Sequence, residues 1–175
     1  MDKNKHQSEN LQVIGPSTYI SIDNYTDVPA KIDTGAEASS IWASNISIDD
    51  NKVLKFCLFG KSSPFYDGKV IECKDYKAIV TRSAMGEEQV RYRVYFLVKL
   101  NGRTIRVLFS LANRSRNNFP VLIGKRTLNG KFLVDVSLPN IKYKPKPKQK
   151  GKIDLKMLRE DPQKFHKLFV KKGEK

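Results

Sequence analysis

Hydrophobic and polar residues alternate along much of the first 140 positions, which is the pattern expected of half-buried β-strands. The stretch "STYISIDNY" (17–25) places Ile20 and Ile22 on one face and Ser21 and Asp23 on the other. The stretch "VLKFCLFG" (53–60) alternates in the same way, and "KVIECKDYKAIVT" and "QVRYRVYFLVKL" are rich in β-forming residues. We predict strands over these stretches.

Turn signals separate these stretches at short intervals. "NGR" (101–103) predicts a two-residue hairpin turn between "YFLVKL" and "TIRVLFSL". "KSSPFYDGK" (61–69) predicts a second hairpin connection, and "FPVLIGK" predicts a short apolar strand that ends at Gly124. Before residue 140 only "RTLNG" suggests a short turn or helix, closed by Gly130. The pattern therefore predicts a mainly β domain, either a barrel or a sandwich.

The sequence changes character after Pro139. "YKPKPKQKGK" interleaves lysine with proline, which favours an extended, solvated linker. Beyond it, Asp154 and Asp161 are predicted N-caps of two short helices, with Pro162 at a first helical position. We divide the chain into a flexible N-terminus (1–16), a β domain (17–140) and a basic linker with a short helical tail (141–175).

Charge is concentrated in that tail. The 175-residue chain, about one domain with a short appendage, has a net charge of +15, and residues 141–175 carry 13 Lys and Arg against 4 Asp and Glu. A lysine-rich arm binds phosphate backbones without reading sequence, so nucleic acid is one candidate partner. A solubilising extension whose last helices dock on the body of the protein or on a partner chain is an interpretation at least as good.

Several classes of protein are disfavoured by the composition. No apolar run reaches the length of a membrane span, and "MDKNKHQSEN" lacks the apolar core of a signal peptide, so we expect a cytoplasmic protein without membrane contact. Cys57 and Cys73 form no C-x-x-C pair, and His6 and His166 lie near opposite ends. We therefore predict no metal site and no cofactor.

The segment "KIDTGAEASSIWAS" (31–44) carries the candidate chemistry. Its simplest interpretation is a strand that ends in a turn, because Asp, Thr and Gly are common turn residues. The alternative is a catalytic aspartate held at a bend. Two aspartates forced into contact share one proton, so that one of them can accept a proton from water while the other polarises a carbonyl.

Three segments in order resemble one protein family. "KIDTGAEASSI", "RSAMGEEQVRYRV" and "SLANRSRNNFPVLIGKRTLNGKFLVDVS" are similar to the retropepsin-like aspartic proteases usually labelled "ATP-dependent zinc protease", related to the RimK-linked peptidases called RimB. The resemblance spans roughly residues 15–138. It departs at Lys125, where the family usually has arginine, and nothing in the sequence supports the zinc label. The resemblance implies a retropepsin-like acid-protease barrel.

The resemblance also implies roles for individual residues. Asp33 would be the catalytic aspartate, with Thr34 and Gly35 completing the motif, while Ala36 and Glu37 would lie where such proteases bind the substrate backbone. Since the chain has one Asp-Thr-Gly, two chains would each contribute one aspartate to a homodimer. The hairpin 62–68 is a candidate flap.

Arginine side chains are the other candidates for substrate binding. Arg82, Arg91 and Arg114 would each be able to hold a substrate carboxylate, and exposed strand cations are the competing interpretation. Arg114 falls inside a segment that carries the family resemblance. Because some relatives are linked to glutamate ligases, the resemblance favours an acidic, glutamyl-type peptide.

We therefore predict an aspartic peptidase that works as a homodimer. The alternative hypothesis is a non-catalytic basic β-barrel that binds nucleic acid or ribosomes through its tail.

Overall fold

The computed structural model describes residues 11–82, 88–143 and 159–164, without the side chains of residues 81 and 82. Within residues 11–82 and 88–143, eleven strands and one short helix follow one another. They are β1 (Gln12–Ile14), β2 (Ser17–Ile22), β3 (Tyr25–Asp33), β4 (Ser39–Ile48), β5 (Leu54–Leu58), β6 (Val70–Cys73), β7 (Tyr76–Arg82), β8 (Glu88–Leu100), β9 (Arg103–Ala112), β10 (Val121–Gly124), α1 (Lys125–Leu128) and β11 (Phe132–Val134).

Six of these strands close into a barrel, which is one of the two architectures that the alternating pattern predicted and the one that the family resemblance implied. Each strand pairs with the next in the order β10, β3, β2, β8, β9 and β4, and β4 returns to pair with β10. Two pairings, β10 with β3 and β9 with β4, are parallel, and the others are antiparallel. Closure leaves no free edge within these six strands.

The buried apolar side chains of the barrel strands form one hydrophobic core together with those of β5 and of Phe59. Phe56, Phe59 and Phe109 are the largest of its fully buried side chains. Ile20 and Ile22 are buried together, as the alternation of "STYISIDNY" predicted. Removing this much apolar surface from water contributes more than any other interaction to the stability of the domain.

Local structure agrees with several of the sequence predictions. The turn between β8 and β9 has Asn101 at φ 47° and Gly102 at φ 82°, the left-handed pair that a two-residue hairpin needs. The helix α1 ends before Gly130, which has φ 68°. In the tail, Asp161 accepts a hydrogen bond from the backbone of Lys164 at 2.9 Å, so it is an N-cap as predicted. Asp154 lies outside the described residues.

Other boundaries differ from the predicted ones. The strand predicted over 17–25 is broken, because Asp23 adopts a left-handed turn conformation (φ 50°) and the chain reverses into β3. The stretch "KVIECKDYKAIVT" is likewise two strands, which separate at Lys74 and Asp75. The strand β4, which closes the barrel by pairing with both β9 and β10, was not predicted.

The chain separates into two compact units, residues 1–145 and 146–175. In the first unit β1 pairs in parallel with β11, so the chain from residue 12 onward contributes to ordered sheet structure. Among the described residues, no helix combines the length and the apolar character required to cross a membrane.

Candidate active site

Asp33 is the last residue of β3, at the point where that strand lies beside β10. The two strands run parallel, with Gly124 opposite Asp33 and Leu122 opposite Lys31. Ile32, the neighbour of Asp33, points into the core and is almost fully buried. Since successive residues of a strand face opposite ways, Asp33 projects from the outer face of the barrel, where it is half-buried.

The turn after β3 holds the carboxylate of Asp33 with its own backbone. The amides of Gly35 and Ala36 both donate to Oδ1 of Asp33, at 3.1 Å and 3.2 Å. Within the described part of the chain, Oδ2 has no hydrogen-bond partner, and neither has the exposed hydroxyl of Thr34. One carboxylate oxygen is therefore fixed while the other is free to meet a water molecule or a second chain.

Gly124 allows β10 to lie directly against this turn. A Cβ atom placed on Gly124 would lie 2.5 Å from the carbonyl carbon of Ala38 and 2.9 Å from the carbonyl oxygen of Ala36. The amide of Lys125 donates to that oxygen of Ala36 at 2.7 Å. The turn that carries Asp33 is thus packed backbone against backbone on the start of α1.

Glu37 joins the same turn to α1 through ion pairs. Nζ of Lys125 and Nε of Arg126 donate hydrogen bonds to its carboxylate, at 2.7 Å and 2.9 Å. The hydrogen bond from Lys125, followed by that from Arg126, lowers the pKa of Glu37 below its ordinary value. Both oxygens of Glu37 are therefore engaged within the chain, which gives this residue a bracing contact in addition to its predicted role towards substrate.

A transverse row of outward-facing residues crosses five strands of the barrel next to Asp33. Each residue of the row is paired across the sheet with the next one. Along each strand, the residues directly before and after the member of the row are mostly buried in the core. The members of the transverse row, in order, are Lys31, Leu122, Ser40, Ser110 and Arg93. In Arg93, Nε donates to the hydroxyl of Ser110 at 3.2 Å.

Arg114 lies over the middle of the transverse row. Its guanidinium donates to the hydroxyl of Ser40 at 2.7 Å and to the carbonyl of Phe119 at 3.1 Å. Burial lowers the pKa of Arg114, the negative charge of Asp33 raises it, and the positive charge of Arg91 lowers it. Arg114 therefore interacts electrostatically with both Asp33 and Arg91.

A cavity of about 780 Å³ extends the same face beyond the transverse row. Trp42, Ala112 and Arg91 line it, and each is two residues away from a member of the row along its own strand. Lys61 also lines it, together with Ser62 from the hairpin predicted as a flap. Asp33 itself is not among the residues that line this basic, partly apolar cavity.

Arg82 is the predicted site residue whose side-chain position relative to Asp33 the structure does not give. Arg82 is the last residue of β7, opposite Glu88, and its side chain is one of the two that the structure does not describe. No group of three or more His, Cys, Asp or Glu side chains converges within residues 11–82, 88–143 and 159–164.

Sequence reasoning overlooked several residues of this site. Lys31 and Ser40 flank the Asp-Thr-Gly motif, and Arg93 lies in "RYRV", but only the strand registers place all three on one face. Ser39 and Thr127, which are buried beneath the turn, were also missed. The paired serines of "GAEASS" were the available signal, since two adjacent polar residues at the start of a strand must point in opposite directions.

The sequence of the whole β domain matches a known family that has this kind of site. Residues 13–145 match the family described as "Retropepsin-like aspartic endopeptidase RimB". The chain belongs to this RimB-like family. The match covers the closed barrel and the Asp33 turn, and it confirms the resemblance identified from the sequence.

Curated relatives of this RimB-like chain are much longer proteins. A "Probable alpha-L-glutamate ligase" of Shewanella pealeana is 27% identical over 136 residues, which are 74% of this chain and 30% of the relative. A protein of the same name from Shewanella halifaxensis is 26% identical over the same shares of the two chains. The RimB-like chain thus spans about a third of the length of these relatives.

A solved structure shows the same fold. The protein Lpg0085 of Legionella pneumophila, described as of unknown function, superimposes with a TM-score of 0.57 and 22% identity. The match covers 74% of this chain and 96% of the Legionella chain.

Proposed function

We propose that this RimB-like chain is an aspartic peptidase that hydrolyses amide bonds as a homodimer, with Asp33 of each chain in one shared site. The observation that carries the proposal is the Asp33 turn, where two backbone amides fix one carboxylate oxygen and leave the other without a partner among the described residues. This arrangement suits a carboxylate that has to bind water in a defined orientation.

Two such carboxylates would supply both halves of the chemistry. When they are brought into contact, they retain one proton between them, because two negative charges at that distance repel strongly. The ionised Asp33 removes a proton from a water molecule as its oxygen attacks the amide carbonyl. The protonated Asp33 donates a hydrogen bond to the carbonyl oxygen, and the proton removed from water is then passed to the leaving nitrogen.

The need for a second chain follows from the composition of the site. The chain contains one Asp-Thr-Gly motif, so a pair of aspartates requires two copies related by a twofold axis. The exposed hydroxyl of Thr34 and Oδ2 of Asp33 are available for such a contact. We propose that the two Asp33 turns meet there.

Mixing wild-type protein with the Asp33→Asn variant tests the shared site. If subunits exchange freely, an equimolar mixture contains only about a quarter of dimers with two aspartates. We therefore expect the hydrolysis rate per wild-type chain to fall to about half, and to fall further as the variant is added in excess. Peptidase assays after subunit exchange, with the oligomer size followed by light scattering, measure this dependence.

The control is the same titration with Asp23→Asn, a change at an exposed turn residue. This variant should leave the rate per wild-type chain undiminished. A rate that stays constant as Asp33→Asn is added to freely exchanging protein would contradict the shared site.

For the substrate we propose an acidic peptide. Lys31, Arg93 and Arg114 lie on the face that carries Asp33, and Arg91 and Lys61 continue it into the cavity. Guanidinium groups pair with carboxylates through two parallel hydrogen bonds, and the overall charge of +15 would draw anionic ligands towards the chain. The curated relatives are named as glutamate ligases, which supports a glutamyl substrate.

Arg91 provides the cleanest test of this specificity. We expect Arg91→Gln to raise the KM for a peptide with acidic side chains by about tenfold or more, because one charged hydrogen bond is lost. The KM for a matched peptide with glutamine in place of glutamate should change by less than about twofold, since the amide side chain does not depend on that charge. Steady-state kinetics on the two peptides give the ratio.

Arg116→Gln is the matched control, because Arg116 is exposed and bears the same charge but does not line the cavity. It should leave the preference for the acidic peptide intact. Equal losses for both peptides in Arg91→Gln would argue against a carboxylate contact at this position.

A further inference from the structure

Two buried hydroxyl groups lie beneath the Asp33 turn. Ser39 and Thr127 are 1% and 8% exposed, and their oxygens are 2.7 Å apart although 88 residues separate them in the chain. Ser39 is the first residue of β4, and Thr127 lies in α1. The contact therefore ties the strand that follows the Asp33 turn to the helix that follows β10.

The hydroxyl of Ser39 also accepts a hydrogen bond from the backbone amide of Gly124 at 3.0 Å. Gly124 is paired with Asp33 on one side and touches the backbone of Ala36 and Ala38 on the other. Any movement of the Gly124 amide must consequently shift the turn that presents the Asp33 carboxylate, because close-packed backbone cannot absorb it.

Thr127 governs the position of Ser39 in turn. A serine hydroxyl rotates freely unless its partners fix it, and here one partner is the Gly124 amide and the other is Thr127. With both contacts made, Ser39 has a single favourable rotamer. Without Thr127, the hydroxyl can turn away and leave the buried amide of Gly124 without an acceptor.

From these contacts we infer that Ser39 and Thr127 are positioning residues of the active site, which act through Gly124 to hold the Asp33 turn in its working geometry. The inference rests on the proposed catalytic role of Asp33. Neither hydroxyl is expected to contact substrate, because both are buried below the turn. Their effect is on the orientation of the carboxylate and on its hydrogen bonds to the amides of Gly35 and Ala36.

The test compares Thr127→Val with Thr127→Ser. Valine keeps the volume of threonine but removes the hydroxyl. We expect kcat to fall by about tenfold or more while KM stays within about threefold, because a small misplacement of a reacting group slows the reaction more than it weakens binding. Serine restores the hydroxyl and should return kcat to within about twofold of the wild type.

A further measurement distinguishes a positioning role from a loss of global stability. In Thr127→Val, hydrogen exchange at the Gly124 amide, followed by NMR on the intact protein, should become at least about tenfold faster, because that amide loses its fixed acceptor.

Ser17→Ala is the matched control. Ser17 is 5% exposed, accepts the amide of Ile141 at 3.0 Å and contacts the side-chain oxygen of Asn140 at 2.9 Å, so it has the same two kinds of contact as Ser39. Ser17→Ala should lower the unfolding temperature without a change in kcat or in hydrogen exchange at Gly124.

The outcomes separate this inference from the proposed function. If Asp33→Asn is inactive but Thr127→Val matches Ser17→Ala in kcat, the positioning role is wrong and the peptidase proposal stands. If Asp33→Asn remains active, the peptidase proposal is wrong and the positioning role falls with it. Unchanged exchange at Gly124 in Thr127→Val would also overturn the positioning role.

Discussion

Replacing Asp33 by asparagine is expected to reduce the hydrolysis rate by about 10³- to 10⁴-fold, the largest effect of any single change in this chain. Asparagine has nearly the same shape and can still accept the amide hydrogen bonds of Gly35 and Ala36, so the turn should survive. What is lost is the charge that removes a proton from water. The measurement is kcat/KM on an acidic peptide, together with circular dichroism and the oligomer size to show that the variant is folded.

Asp23→Asn is the control for this substitution. Asp23 is exposed and has a left-handed backbone conformation that asparagine also tolerates, so the fold and the rate should both be retained. Wild-type activity in Asp33→Asn would exclude the peptidase proposal. If the wild-type protein itself lacked peptidase activity but bound RNA in a salt-sensitive way that depended on residues 141–175, the nucleic-acid hypothesis would be favoured instead.

Gly124→Ala is expected to destabilise the domain by about 2–3 kcal/mol, which corresponds to a fall in Tm of roughly 5–10 °C. The backbone of Gly124 (φ −90°, ψ 172°) is one that alanine adopts without strain, so the effect is purely one of space. The new Cβ would lie 2.5 Å from the carbonyl carbon of Ala38, and neither backbone can move without opening the barrel. Activity should fall as well, because the displaced segment carries Asp33. Thermal and urea unfolding measure the first effect and kcat the second.

Gly102→Ala distinguishes the effect of a steric clash from the effect of backbone strain. Gly102 has φ 82° and nothing within 4 Å of a Cβ at that position, so alanine is strained there but meets no neighbour. We expect it to cost about 1 kcal/mol and to leave activity unchanged. A Gly124→Ala protein as stable as Gly102→Ala would show that the backbone around Ala38 yields more easily than the structure indicates.

Much of this architecture could be predicted from local signals. The strand within "VLKFCLFG", the Asn101–Gly102 turn and the short helix before Gly130 each depend on residues close together in the chain. The alternation predicted for that strand is not seen, because both of its faces are buried.

The strand around residues 39–48 escaped prediction because its buried and outward-facing positions alternate without a matching alternation of apolar and polar residues: Ser39 is buried although it is polar, and Trp42 is half-buried although it is aromatic. The break at Asp23 was missed for a related reason, since an aspartate continues an alternating pattern as well as it starts a turn.

Three properties of this chain can be established without coordinates: it is mainly β, Asp33 follows a strand at a bend, and it belongs with retropepsin-like proteins. They follow from hydrophobic periodicity and from short motifs, both of which are local. The identity of the residues that surround Asp33, in contrast, depends on the folded barrel. The transverse row joins five strands, and Ser39 contacts Thr127 although 88 residues separate them in the chain. Barrel closure and strand register set these neighbours. Register is a property of a pair of strands, and neither strand encodes it alone.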